Sequence, residues 1–110
     1  MKRVFVCSPL RGFEGRTMEQ NIETAKDLCH KTVIEGHAAF APHVLYTQFL
    51  DDNIEAEREN GIQAGVKFLE VCEEMWVHTA HGITSGMQHE IDFCKEHKID
   101  IRFDPWDKEK

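Results

Sequence analysis

Residues 4–17 read VFVCSPLRGFEGRT, and this stretch decides the fold. Lys2 to Cys7 is β-branched and aromatic, the composition of a buried strand. The run stops at Ser8-Pro9, and Pro9, Gly12 and Gly15 punctuate a loop reaching Thr17. Thr17 to Gln20 has the T-x-x-Q form of a capping box, which starts a helix by satisfying its free N–H groups. Strand, loop and helix in that order open a parallel α/β unit. The loop is neither GxxxxGK[ST] nor GxGxxG. It offers the Ser8 hydroxyl, a backbone N–H at Gly12, the Arg11 fork and a helix N-terminus, which together suit a phosphate or carboxylate. A plain connection with an exposed arginine fits the same residues.

The alternation continues along the chain. The first helix carries Ile22, Ala25, Cys29 and Val33 on one expected apolar face, and Gly36 ends it. Ala38 to Ala41 reads as a short strand stopped by Pro42, and His43 to Leu50 as a short helical turn. Asp51, Asp52 and Asn53 are candidate N-caps for a second long helix. That helix would bury Ile62, Val66, Leu69 and Cys72, with Gly61 and Gly65 allowing close packing. Glu74 to His78 is a third strand, and His81-Gly82 turns the chain. Thr84 or Ser85 caps a helix with Met87, Ile91 and Cys94 inward. Ile99 to Phe103 is a fourth strand, and from Pro105 a charged tail is expected to fray. The expected fold is a three-layer, flavodoxin- or Rossmann-like α/β sandwich around a parallel sheet of four to five strands. Ligands in such sheets bind beyond the C-terminal ends of the strands. Three loops meet there: Ser8 to Thr17, Pro42 to Asn53, and Thr79 to Gly86.

The chain has 110 residues, which fits one domain over residues 1–110. Its formal net charge of -7 disfavours nucleic acid and anionic membrane as partners, but leaves room for a small anionic ligand at a local positive site. No apolar run is long enough to span a bilayer, and the opening residues do not form a signal peptide, so a cytoplasmic location is expected. Cys7, Cys29, Cys72 and Cys94 form no CxxC and each lies in an apolar segment; buried free thiols are expected. His78 and His81 lack a third partner at metal spacing, so no metal is expected, and nothing calls for a cofactor.

The other two loops carry the remaining unusual residues. GITSGMQHEI places small hydroxyls and Gly86 at a helix start, with Glu90 one turn later. A carboxylate there is commonly no more than a favourable partner of the helix dipole. APHVLYTQFLDDN holds His43, Tyr46, Asp51 and Asp52; His43, just after a strand, could contact a ligand.

In order along the chain, VFVCSPLRG, NIETAKDLC, EGHAAFAPHVLYTQFLDD, ERENGIQAG, CEEMWV and GITSGMQHEI resemble a family of small bacterial and phage proteins. That family is similar to the nucleoside 2-deoxyribosyltransferases and the 2'-deoxynucleoside 5'-phosphate N-hydrolases. The resemblance spans about residues 2–103. It implies a flavodoxin-like sheet, a site at its C-terminal edge and a homo-oligomer whose subunits complete each other's sites. In the enzymes a Glu in S-x-G-x-x-x-E attacks the anomeric carbon, and Thr84 to Glu90 has that spacing with Thr for Ser. The resemblance thus implies Glu90 as nucleophile. It implies Ser8, Arg11, Gly12, Thr84 and Ser85 as holders of a 5'-phosphate. His43, Asp52 and Gly86 complete the candidate set for a small nucleotide or nucleoside.

One departure bears on the chemistry. The enzymes carry an acid on the helix before the third strand to protonate the leaving base, and that place falls on Gly65. Glu59, Asp51 and Asp52 are nearby alternatives. The expected function is an enzyme that cleaves or transfers at the N-glycosidic bond; the alternative is a module that binds a nucleotide or ribosylated small molecule without turnover.

Overall fold

The computed structural model describes residues 1–12 and 15–107. Loop residues 13–14 and tail residues 108–110 lie outside the described residues. Strand β1 (Arg3–Cys7) leads to helix α1 (Met18–Ile34), strand β2 (Ala38–Phe40), the short helix α2 (Pro42–Leu45) and a 3-10 turn (Tyr46–Gln48). Helix α3 (Glu55–Leu69), strand β3 (Glu74–Val77), helix α4 (Ser85–His97) and strand β4 (Asp100–Phe103) follow. All pairings are parallel and the order is β2-β1-β3-β4, so β1 is central and the chain reverses direction across the sheet beside it. The expected parallel α/β sheet is present, with four strands.

Strand alternation divides the core between two faces. Phe5 and Cys7 of β1, with Met75 and Val77 of β3, pack against Leu69 of α3 and Met87, Ile91 and Cys94 of α4. On the other face Val6 packs with Leu28 of α1, Ala41 and Trp106. β1 and β3 are buried along nearly their whole length because helices cover both sides. The expected inward residues of α4 are all buried, and Thr84 is its N-cap, accepting from the Met87 amide at 3.2 Å.

Helix α1 departs from the apolar pattern. Its buried residues are Asn21, Ala25, Leu28 and Thr32, while Val33 is exposed. The expected face is turned by one position, because two polar residues are buried with their bonds satisfied. Asn21 donates to the carbonyls of Leu10 and Arg11 at 3.0 and 3.1 Å and accepts from Arg16 at 2.9 Å. Thr32 donates to the Leu28 carbonyl at 2.7 Å. The capping box at Thr17 is present on both sides.

Helix α3 also differs. Its N-cap is Ile54, with no side-chain cap bond, rather than Asp51, Asp52 or Asn53. Asp51 instead accepts from the Asn53 amide at 2.9 Å, and Asp52 is held by arginines. Gly65 and Leu69 are buried in the helix, but Ile62 is exposed and Val66 is half-buried. A Cβ at position 65 would lie 3.3 Å from Pro42 Cβ, so the glycine lets α3 approach α2 closely.

The tail is anchored as far as it is described. Trp106 meets Trp76 edge-on, with ring centroids 5.6 Å apart, and donates to Thr32 Oγ1 at 2.9 Å. An aromatic with a polar handle thus outweighs the charge around it. Cys7, Cys72 and Cys94 are buried and Cys29 half-buried, all as free thiols. Among the described residues no helix is long and apolar enough to cross a membrane.

Candidate active site

A cleft opens beyond the C-terminal end of β1, where the strand order reverses. Its narrow part lies between α2, the 3-10 turn and α3. It widens into a space of about 430 Å³ bounded by the first loop and the start of α4. Leu10, His43, Asp52, Arg58, Ile62 and Glu90 line both parts.

Glu90 lies one turn into α4, following the buried Met87 and preceding the buried Ile91. That phase directs its carboxyl toward the end of β1, against Cys7. Glu90 is half-buried, one side opening on the cleft and the other enclosed by protein. Burial pushes its pKa up to about 7, while a hydrogen bond from the Cys7 thiol pulls it down. The Cys7 thiol is itself pushed well above its ordinary value, first by burial and then by the neighbouring carboxylate. Cys7 therefore stays a neutral donor.

The first loop borders the same cleft through Leu10 and Arg11. Gly12 is sterically required: a Cβ there would lie 2.6 Å from the Arg16 carbonyl. Ser8 is buried, and its Oγ has no hydrogen-bond partner among the described residues. Its backbone carbonyl accepts from the His43 ring. Burial lowers His43 to about 4 against the upward pull of that bond and of Asp52, so the ring is neutral at pH 7. Arg11 is 57% exposed at its side chain and turns onto Asp52, Nε to Oδ2 at 2.8 Å and Nη2 to the Asp52 carbonyl at 3.2 Å. Arg58 approaches the other Asp52 oxygen at 3.8 Å.

Thr84, Ser85 and Gly86 face the wide part from the N-terminus of α4. Thr84 Oγ1 is occupied as a cap, while the first-turn N–H groups and the helix dipole provide partial positive charge. Of the residues expected at the site, the cleft gathers Glu90, His43, Asp52, Arg11, Thr84, Ser85 and Gly86. Ser8 and Gly12 are not among its lining residues; they shape the loop behind it.

Several lining residues were not anticipated. Arg58 and Glu57 come from the first turn of α3, and Leu10 from the first loop. Their sequence signal is slight: a charge-dense helix start after Asp52 looks like an ordinary solvated first turn. Gly61 and Gly65, one helical turn apart, line the narrow part, so α3 offers backbone where a carboxyl was sought. Glu59 lines the wide part, and Asp51 lines neither.

No curated protein matches the chain. Its fold is similar to that of a 2-deoxyribosyltransferase from the psychrotolerant bacterium Bacillus psychrosaccharolyticus, with a TM-score of 0.66 and 11% identity. The likeness covers 92% of this chain and 70% of that enzyme. A family model described as a domain of unknown function, DUF7768, matches residues 2–104, and the chain belongs to that family.

Proposed function

We propose that residues 1–110 form one nucleoside 2-deoxyribosyltransferase-like domain that processes nucleotides or deoxynucleosides, cleaving or transferring at the N-glycosidic bond. The observation that carries this reading is Glu90: a carboxyl on a helix, partly desolvated, open to a cleft whose wide part is of ligand size. Its ionised oxygen attacks the anomeric carbon as the bond to the base breaks, with the electron pair leaving on the base nitrogen. The carboxylate stabilises the oxocarbenium-like state and then forms a glycosyl ester. Water attacking that ester makes the protein a hydrolase; a second base makes it a transferase. The 5'-phosphate sits in the wide part, against Arg11 and the N-terminus of α4.

The assay is incubation with deoxynucleoside 5'-monophosphates, with and without a free acceptor base, followed by chromatography. Arg11→Ala is expected to raise KM for a monophosphate about tenfold, consistent with one charged hydrogen bond, and to leave the unphosphorylated nucleoside unchanged. An equal effect on both substrates removes Arg11 from the phosphate site.

A second reading has its own support. Gly65 carries no acid, and Asp52 is tied to two arginines, so the cleft also suits a module that binds without turnover. Calorimetric binding of a nucleotide with no base release establishes that reading instead. Under either one the domain is proposed to work as a homo-oligomer on small molecules. Phe49 and Phe68 are 65% and 50% exposed on the α2–α3 side, apolar surface that a second copy would cover. Sedimentation equilibrium checks it, and a monomer at micromolar concentration argues against it.

A further inference from the structure

The inference here rests on the proposed glycosyl chemistry and concerns the leaving group. A neutral purine or pyrimidine leaves as an anion unless an acid protonates it, and a positioned acid contributes about 10²–10⁴-fold. Among the described residues, the narrow part of the cleft holds no free acid for that task. Where α3 faces it, positions 61 and 65 are glycines and position 62 is isoleucine. The Asp52 oxygens are taken up by Arg11 and Arg58. Glu57 Oε1 is engaged, accepting from the Asp51 amide at 2.7 Å. His43 is neutral at pH 7, with its ring donating to the Ser8 carbonyl. Glu90 is spent as nucleophile.

The same space is suited to positive charge. Arg11 and Arg58 both pair with Asp52, while Glu57 and Glu90 line the narrow part with no arginine ion pair among the described residues. Tyr46 adds an aromatic ring, held edge-on by Phe40 and Phe49 at 6.2 and 5.9 Å. Carboxylates and an aromatic surface in a half-enclosed space attract a flat cation.

We propose that the substrate is a nucleotide whose base already carries positive charge, a pyridinium or an N-alkylated purine joined through its N-glycosidic bond. Such a base needs no acid. A Glu90 oxygen forms a bond to C1', the C1'–N bond breaks, and its electron pair neutralises the ring, which departs uncharged. The enzyme ester then takes water at C1'. The water's oxygen joins the sugar, Glu90 recovers its electron pair, and one proton is released to solvent. The 5'-phosphate stays at the Arg11 side, so opposite ends of the cleft bind opposite charges.

The test uses the full chain with four probes: nicotinamide mononucleotide, 7-methylguanosine 5'-monophosphate, guanosine 5'-monophosphate and 2'-deoxyguanosine 5'-monophosphate. Base release is followed by chromatography and corrected for the rate without protein. At least one cationic probe is expected to react about 100-fold or more faster than both neutral ones, matching the acid contribution no longer needed. Glu90→Ala is expected to abolish that release, and which cationic probe reacts identifies the base. If the neutral probes react as fast, the inference fails and the glycosidase reading stands. If none reacts, both fail. Cationic release that survives Glu90→Ala overturns the inference as well.

Discussion

Glu90→Ala is expected to lower the rate of base release by about 10³-fold or more, with folding and nucleotide binding retained. A nucleophile that forms a covalent intermediate has no substitute once removed, so the loss falls on kcat rather than KM. The pH profile carries a second signature. With the Glu90 pKa near 7, kcat/KM should fall about tenfold per pH unit below that value, as the reactive carboxylate is protonated. Stability should move the opposite way. The folded protein holds the Glu90 proton up to about pH 7, whereas the unfolded chain releases it near 4.5. Stability therefore falls as pH rises between those values, and the full cost is present above pH 7. Glu90→Gln carries no charge and escapes that cost. It should be more stable than wild type at pH 8 by on the order of 2 kcal/mol, and equal to it at pH 4. Urea denaturation at the two pH values reads this directly. Equal stability at pH 8 would place Glu90 in solvent and remove the physical basis for its role.

Phe5→Ala is expected to cost about 3–5 kcal/mol, the range for a fully buried aromatic. Against a typical domain stability of about 5–15 kcal/mol, that is a large share. For a chain of this size it corresponds to a fall in Tm of roughly 15–30 °C. The effect reaches the site through a row of rings. Phe5 lies 5.7 Å from Phe40, which stacks on Phe68 at 4.9 Å and meets Tyr46 at 6.2 Å. Tyr46 lines the cleft, so the cavity left at Phe5 loosens a wall of the site as well as the core. Calorimetric melting checks the stability. Ligand affinity at a temperature where the variant remains folded checks the wall, and an unchanged affinity would uncouple the aromatic row from the site.

Helix α1 shows where apolar spacing stops being informative. Ile22, Cys29 and Val33 have the right period, yet Asn21 and Thr32 take the buried positions: Asn21 bonds to the loop before the helix, and Thr32 accepts from Trp106 far along the chain. Trp106 is the counterpart. In sequence it sits in a charged tail; in the fold it reaches Trp76 and Thr32 across the sheet face. Asp51 to Asn53 look like helix caps, but Asp52 belongs to two arginines, one of them more than forty residues away in the chain. In each case the deciding contact lies outside the element itself, and local periodicity carries no record of it.

The sequence by itself determined the parallel α/β fold, the cap at Thr17, and the phase of α4 that turns Met87, Ile91 and Cys94 inward. These follow from strand composition, capping chemistry and 3.6-residue spacing, all local. Only the tertiary structure decided the environment of the Glu90 carboxyl: the Cys7 thiol beside it, the burial that raises it, and the glycine-lined wall opposite. It also drew Arg11 onto Asp52 and seated Ser8 behind the cleft rather than in it. Desolvation and charge pairing depend on which atoms meet in space, and those meetings are made by packing β1 against helices from both ends of the chain.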